Sequence, residues 1–343
     1  MKMFRRMILG IAALFLVAGA AGAADEPFYK AKTIRIVVGY SPGGGFDGFS
    51  RLLGRFLSKH VPGNPSVIVV NMPGASSMSA ANRVYAMQPG NGLTIAVFNA
   101  GTLIQAVNRD PSVKFDPRKY IWLGDPALGS LPEVLWVRSD LPVKTFDDFR
   151  NSKEILHSGS TGIGSASTAA TQLLRYLGYP IKAIMGYGGT ARVMAAMERK
   201  ELDARVMSQA TMQGTYKRYI ESGLVRPILS IGDEPRLKAI PGIATIKDLN
   251  LNAEQQKIAD FMIGTWKLLR LFALPPGTPP DRVATLRKAF MDTLNSPELL
   301  EQAKRQKLII SPASPLSVEK TVAGLYTASP ELLAKYDEIV RGK

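Results

Sequence analysis

Two glycine-rich stretches of this sequence have the composition of backbone anion sites. Residues 41–47 read SPGGGFD and residues 159–165 read GSTGIGS, and a segment with helical spacing of apolar residues follows each of them. Glycine has no Cβ, so a ligand can approach the backbone closely at these positions. The helix that follows then points unpaired N–H groups and the positive end of its dipole toward the loop. Such an arrangement binds a carboxylate or a phosphate.

The candidate ligand-binding residues lie in these loops and directly after predicted strands, where open α/β sheets place ligand contacts. They are Ser41, Gly43, Gly44, Gly45, Phe46, Asp47, Asn99, Ser160, Thr161, Gly162, Gly164, Ser165, Tyr187 and Gln209. Several of them have a structural alternative. Asp47 could contact a substrate ammonium group, but its place at a helix start favours an N-cap. Phe46 could cover a ligand or anchor the loop in the core, and the hydroxyl residues could be ordinary caps.

Catalytic and cofactor motifs do not fit these loops. The first lacks the Gly-Lys-Ser/Thr ending of a P-loop, and the second has Ser167 where a dinucleotide fingerprint requires its third glycine. The chain has no cysteine and only two histidines, His60 and His157, so neither a zinc site nor a nucleophile–base pair is indicated. The Gly-x-Ser-x-Gly elbow of serine hydrolases is also missing. We therefore expect no catalytic residue, metal or cofactor, with an envelope hydrolase as the less favoured alternative.

The first 24 residues predict an export signal. Lys2, Arg5 and Arg6 form a basic start, residues 7–24 carry no charge, and Ala21-Gly22-Ala23 fits an A-x-A cleavage site. We expect cleavage near this site, so that residues 1–24 are removed. The lack of cysteine excludes disulfides and a lipid anchor on cysteine, which favours a bacterial periplasm as the location.

Length and charge narrow the remaining functions. With 343 residues, the chain is too long for one ordinary core, so we expect two domains. The formal net charge is +15, and it falls to +12 without the three basic residues of the leader. Lys and Arg are scattered, with no run longer than two, and the chain is predicted to be exported. The charge therefore favours a small anionic ligand over nucleic acid.

The order of predicted elements indicates two α/β units. Strands are predicted at 33–38, 66–71 and 93–98, with helices between them. After an irregular connection over 101–129, the pattern restarts. Further strands are predicted at 134–138, 155–158, 181–185, 204–208, 225–230 and 266–274, and closing helices at 281–294, 297–307 and 330–340. Strands that alternate with helices build doubly wound α/β sheets, and two such units suggest a ligand cleft between them.

Several segments, taken together in their order along the chain, resemble those of the tripartite tricarboxylate transporter receptors, which are also called Bug solute-binding proteins. They are the leader, YKAKTIRIVVGYSPGGGFD, VVNMPGASS, GSTGIGS, Tyr187-Gly188-Gly189 and FALPPGTPPDRV. The resemblance implies a type II periplasmic binding protein, in which two doubly wound α/β domains enclose a ligand cleft. Residues 25–126 and 241–343 would form the first domain, and residues 127–240 the second. Backbone N–H groups and waters of the loops at 41–47 and 158–167 would hold the carboxylate.

The resemblance also implies a function. A receptor of this family is a periplasmic monomer that captures an organic acid between its domains and passes it to a membrane permease made of a large and a small subunit. A sensory module that signals to a membrane kinase is the alternative. The chain departs from many members at Thr168, at Gly188 and over Met207-Ser208-Gln209, where they have His, Lys and Phe-Asp-Asn. These departures leave the identity of the ligand open, while the carboxylate class is retained.

Overall fold

The computed structural model describes residues 26–127, 133–232, 240, 242–266 and 268–342. The predicted leader at 1–24 therefore lies outside the described residues. In the part of the chain that is described, every helix is too short or too polar to cross a membrane.

The described strands form two sheets, and each sheet with the helices packed on it is called a lobe. In chain order they are β1 (Thr33–Val38), β2 (Ser66–Asn71), β3 (Thr94–Asn99), β4 (Ile121–Gly124), β5 (Glu133–Arg138), β6 (Leu156–Gly159), β7 (Ile181–Ile184), β8 (Ala204–Ser208), β9 (Val225–Ile231), β10 (Ala244–Thr245) and β11 (Arg270–Leu274). The first sheet has the order β2-β1-β3-β11-β4, and the second has β10-β9-β5-β8-β6-β7. Strand β11 in the first sheet and β5 in the second run antiparallel to both their neighbours. These two sheets with their helices confirm the predicted α/β fold class.

Helices pack against the sheets and connect the parallel strands. In chain order they are α1 (Gly45–His60), α2 (Met78–Tyr85), α3 (Gly101–Val107), α4 (Phe146–Arg150), α5 (Ala166–Tyr176), α6 (Thr190–Glu198), α7 (Gln209–Gln213), α8 (Lys217–Glu221), α9 (Ala253–Thr265), α10 (Pro280–Leu294), α11 (Pro297–Arg305), α12 (Pro315–Leu325) and α13 (Pro330–Arg341). Helix α1 illustrates why they form, because Phe49, Leu52, Leu53 and Leu57 recur at helical spacing and all four are buried. Their burial fixes the start of α1, and with it the first glycine loop, at one end of the first sheet.

Two chain crossings between the lobes meet at Asp125. The chain leaves the first sheet after β4, and it returns to this sheet from α9 through Leu269 to β11. The buried Asp125 carboxylate accepts hydrogen bonds from the N–H groups of Ala127 at 2.8 Å, Leu269 at 2.7 Å and Arg270 at 2.8 Å. Because a carboxylate forms strong charge-assisted bonds with backbone N–H groups, Asp125 holds the two crossing segments together. It thereby fixes the first residue of β11.

The C-terminal part divides between the lobes, whereas the sequence analysis assigned all of residues 241–343 to the first domain. Strand β10 pairs in parallel with β9 of the second sheet, and α9 and α13 both pack against α5 of the second lobe. Apolar side chains explain this division, since Ile258 and Met262 of α9 and Ile339 of α13 are buried in the core that α5 also lines. Strand β11 and the helices α10, α11 and α12 pack on the first lobe.

Candidate functional site

A cavity lies between the two lobes, where both glycine loops meet. The first lobe contributes Tyr40, Gly44, Gly45, Phe46, Asn99, Leu269 and Arg270 to its wall. The second lobe contributes Glu133, Thr161, Ser165, Ala166, Ser167, Thr190, Arg205, Val206, Met207, Ser208 and Thr211. The cavity therefore combines the starts of two long helices with three charged side chains.

Direct hydrogen bonds between the lobes close the cleft around this cavity. The N–H of Ser41 donates to the carbonyl oxygen of Gly188 at 2.9 Å. A second contact joins the hydroxyl oxygens of Ser76 and Thr161, which lie 2.8 Å apart. A ligand in the cavity would be enclosed by both lobes, as in the closed form of a hinged binding protein.

Asp47 holds the first glycine loop in shape from within α1. Its carboxylate accepts hydrogen bonds from the Gly43 N–H at 3.0 Å, from Arg51 Nε at 2.9 Å and from Asn71 Nδ2 at 2.8 Å. Burial opposes its ionisation, but these donors outweigh burial and lower the pKa of Asp47. The N-cap prediction is wrong, because Gly44 occupies that position. The carboxylate is also already satisfied by protein donors, so it has little to offer a ligand.

Gly43 makes the turn that exposes the start of α1. Its φ of +84° lies in the left-handed region that favours glycine, and its carbonyl oxygen accepts a 2.6 Å hydrogen bond from the Tyr216 hydroxyl of the second lobe. The N-cap residue Gly44 has no side chain to cap the helix. The N–H groups of Gly45 and Phe46 have no partner within the helix, and both residues line the cavity. These donors and the helix dipole favour an anion there.

The start of α5 reaches the same cavity from the second lobe. Ser165 is the N-cap of this helix, and its hydroxyl accepts a hydrogen bond from the Thr168 N–H at 3.1 Å. The next two residues, Ala166 and Ser167, also line the cavity. Two helix N-termini, one from each lobe, therefore converge on one space, and both favour negative charge in it.

Arg270 is a buried cation at the start of β11. Its side chain is 3% exposed, and its Nε and Nη1 atoms have no hydrogen-bond partner among the described residues. The guanidinium carbon lies 4.2 Å from the ring centre of Phe49 and 5.5 Å from that of Phe46, so two aromatic faces position it. Burial lowers the pKa of Arg270 to about 10, although the carboxylates of Asp125 and Glu133 oppose this shift. An anion in the cavity would satisfy its free donors.

Arg205 on β8 supplies a second buried guanidinium, from the opposite lobe. Its Nη1 donates to the carbonyl oxygen of Gly159 at 3.0 Å and its Nη2 to the Thr190 hydroxyl at 3.0 Å, whereas its Nε has no partner in the described structure. Burial lowers the pKa of Arg205. Because Arg205 and Arg270 belong to different lobes, an anion between them would link the lobes.

Glu133 adds a buried carboxylate to the same wall. It begins β5 and is 5% exposed. Burial raises the pKa of Glu133 to about 7, and the positive charges of Arg205 and Arg270 only partly oppose this shift. Unlike Asp47 and Asp125, its side chain forms neither a hydrogen bond nor an ion pair with another described residue. The cavity therefore contains unpartnered groups of both signs.

The structure separates the predicted site residues into three groups. Gly44, Gly45, Phe46, Asn99, Thr161 and Ser165 line the cavity. Ser41, Gly43, Gly162 and Gly164 lie at contacts between the lobes around it. Asp47, Ser160, Tyr187 and Gln209 lie outside its wall. Phe46 lines the cavity and also packs against the first-lobe core, whereas the half-buried Tyr187 packs against the second-lobe core.

The sequence analysis missed the three charged residues of the wall. Arg270 interrupts the apolar run LLRLFAL at 268–274, and Arg205 lies within the buried strand ARVMS. A buried charge is costly unless a partner compensates it. A lone arginine inside an otherwise apolar strand is therefore a candidate for a binding site, but Arg35 of β1 and Arg226 of β9 fit the same pattern and do not line the cavity. Glu133 had no such signal, because it precedes its strand's apolar run.

The hydrolase alternative finds no support in the described structure. His157 has about half of its side chain exposed, and its Nδ1 lies 3.3 Å from Asp203 rather than near a serine. The hydroxyl of Ser165 contacts those of Ser167 and Thr168 instead. Among the described residues, no three or more His, Cys, Asp or Glu side chains are grouped so that they could hold a metal ion.

A methyl group added at Gly45 is expected to weaken ligand binding about tenfold, whereas the same change at Gly44 should have little effect. A Cβ at Gly45 would lie 3.0 Å from Nη2 of Arg270 and 3.1 Å from Oγ1 of Thr211, but a Cβ at Gly44 would meet Thr190 only at 3.9 Å. Gly44 also has a φ of −94°, which any residue adopts. Calorimetry on Gly45→Ala and Gly44→Ala measures the difference. Equal affinities of the two variants would exclude the start of α1 from the site.

Known sequences match most of this chain. Residues 51–313 match the sequence profile described as tripartite tricarboxylate transporter family receptor. The chain is 27% identical over 299 residues to the UPF0065 protein in the gbd 5′ region of Cupriavidus necator, which covers 84% of this chain and 83% of that protein. It is 25% identical over 288 residues to a UPF0065 protein of Bordetella pertussis, covering 82% of both chains.

Solved structures show the same fold. The periplasmic binding protein BugD is 21% identical with a TM-score of 0.73, over 91% of this chain and 98% of that chain. MatC from Rhodopseudomonas palustris with bound malate is 20% identical with a TM-score of 0.70, over 90% and 99%. Another R. palustris protein with adipate is 22% identical with a TM-score of 0.70, over 89% and 97%. The fold is therefore that of the two-domain periplasmic binding proteins.

Proposed function

This chain belongs to the tripartite tricarboxylate transporter receptor family, and on that premise we propose that it captures an organic carboxylate between its lobes and delivers it to a membrane permease of that transporter type. In this proposal the receptor works in the periplasm, as a monomer and without catalytic activity. Two structural neighbours hold malate and adipate, which are both small organic acids. Carboxylate capture is consistent with those ligands and with the donors that line the cavity.

The observation that carries the proposal is the unpaired guanidinium of Arg270 beside the uncapped start of α1. Its Nε and Nη1 atoms are buried without a partner among the described residues, and Gly45 and Phe46, whose N–H groups have no partner within the helix, line the same cavity. A hydrogen bond to a charged group contributes about 1.5–3 kcal/mol. A carboxylate that satisfies two or three of these donors would gain about 3–9 kcal/mol from them, and the upper end of this range corresponds to micromolar binding, which requires about 8 kcal/mol. A neutral ligand would leave the buried cation uncompensated.

Closure of the lobes follows from where the two guanidiniums lie. Arg270 belongs to the first lobe and Arg205 to the second, and both line the cavity. A ligand shifts a conformational equilibrium only by its difference in affinity for the two forms. An anion that contacts both arginines gains its full set of bonds only in the closed form, so it favours closure. A permease that recognises the closed form would then bind mainly receptor molecules that carry a ligand.

A thermal-shift screen of organic acids tests the proposed function. The panel should hold mono-, di- and tricarboxylates, with and without an amino group, and sugars and carboxamides as uncharged controls. Saturation at about 100 times Kd should stabilise the protein by roughly 2.7 kcal/mol. We expect stabilisation by at least one acid and by none of the uncharged compounds. Stabilisation by uncharged compounds alone would contradict the proposal.

A further inference from the structure

The carboxylate of Glu133 is not explained by the capture of a simple anion. It lies in the cavity wall with Arg205 and Arg270, so it repels any anion that these guanidiniums attract. Among the described residues, neither arginine forms an ion pair with it, although both are close enough to affect its ionisation. Burying a carboxylate without a partner is costly. A receptor for simple anions would bind them better without it.

Two other buried carboxylates of the same region show what a structural role looks like. Asp125 accepts three backbone hydrogen bonds at the crossing between the lobes. Asp47 accepts three hydrogen bonds that shape the first glycine loop. Both are satisfied by the protein itself, whereas the Glu133 side chain has no such donor in the described part of the chain. Because Glu133 lines the cavity, a ligand bound there can supply a donor to its carboxylate.

We propose, building on the proposed function, that the ligand is an ampholyte whose carboxylate contacts Arg270 and whose protonated nitrogen contacts Glu133. An ammonium group offers three donors and no acceptor, so it complements a buried carboxylate. The bonds it forms are charge-assisted on both sides and gain strength in a cavity shielded from water. The ligand class is thus a carboxylic acid that carries an amine. Arg205, whose Nε has no partner in the described structure, offers a donor to a second carboxylate on the same molecule.

The test compares acids that share a carbon skeleton and differ only at the second carbon, which carries hydrogen, a hydroxyl or an ammonium group. Suitable series are propionate, lactate and alanine; succinate, malate and aspartate; glutarate, 2-hydroxyglutarate and glutamate; and 3-phenylpropionate, phenyllactate and phenylalanine. Calorimetry on the full-length mature protein gives each Kd. For every skeleton that binds, we expect the ammonium form to bind about tenfold or more tightly than the other two.

The variant Glu133→Gln keeps the size of the side chain and removes its charge. We expect it to lose the preference, with weaker binding of the ammonium form and equal or tighter binding of the unsubstituted acid. The control Glu254→Gln changes an exposed residue on α9 and should behave like the wild type. Equal binding of the three forms to the wild type, or a preference that survives in Glu133→Gln, would overturn the inference and leave the proposed function intact. Binding of no organic acid at all would overturn both.

Discussion

Replacing Arg270 with methionine is expected to abolish ligand binding, with Kd raised by about a hundredfold or more. The guanidinium is buried in the cavity wall, and two of its nitrogen atoms have no partner among the described residues. Truncating one member of a buried, hydrogen-bonded charge pair costs about 2–5 kcal/mol, because the other charge stays buried and unpaired. Calorimetry with the acid that stabilises the wild type most strongly measures the loss. Unchanged affinity would remove Arg270 from the site.

The fold of Arg270→Met should survive, which keeps this result interpretable. The Arg270 side chain forms no hydrogen bond with a described residue, and methionine can pack against the rings of Phe46 and Phe49. Burial opposes the charge of Arg270 more strongly than the Asp125 and Glu133 carboxylates favour it, so its replacement by an apolar side chain should be neutral or stabilising for the fold. Urea unfolding should therefore give a midpoint at or above that of the wild type. Arg150→Met, at an exposed position on α4, is the matched control and should retain wild-type binding.

Replacing Glu133 with glutamine is expected to stabilise the ligand-free protein at pH 8 by about 3 kcal/mol, and to have little effect at pH 4.5. Burial raises the pKa of Glu133 from 4.5 to about 7, so the folded state holds this proton more tightly than the unfolded state. The stability that the proton contributes is complete below about pH 4.5 and is lost as the pH rises to about 7. Glutamine is always neutral and does not titrate.

Urea unfolding of both proteins at the two pH values measures this difference. Other titrating groups affect the wild type and the variant alike, so the difference between the two proteins isolates Glu133. Glu254→Gln, at an exposed position on α9, is measured alongside as the matched control. A constant difference between wild type and Glu133→Gln across this range would show that the carboxylate is not buried as described, and it would weaken the ampholyte inference as well.

The first half of the fold could be predicted from local patterns. The buried run of β1 and the apolar stripe of α1 follow the strand and helix periods directly, and the structure confirms both. The segment 266–274 was predicted as one strand, but α9 extends to Thr265 and β11 begins at Arg270. Leu268 and Leu269 are buried but belong to neither element, and apolar composition does not distinguish a buried connection from a strand. Strand β4 was missed because it lies within residues 101–129, which the sequence analysis interpreted as one irregular connection.

The candidate site was predictable only in its backbone part. The glycine loops can be recognised from their local composition, and residues of both loops line the cavity. Arg205 and Arg270 lie in different strands and different lobes, and only the tertiary structure brings them to one cavity. The chain crossing at Asp125 that positions Arg270 likewise joins residues far apart in sequence. The departures from the family pattern were noted at Thr168, at Gly188 and over Met207-Ser208-Gln209, but the buried charges of the cavity wall were not.

Calorimetry on an organic acid and its methyl ester tests the central claim most directly. The cavity offers two buried guanidiniums and two helix N-termini, which all require negative charge. An ester keeps the shape of the acid and one carbonyl acceptor, but it lacks the charge. With two or three charge-assisted bonds weakened by about 1 kcal/mol each, the ester should bind roughly a hundredfold more weakly than the acid. Equal affinity for an acid and its ester would contradict the account of this cleft as a carboxylate receptor.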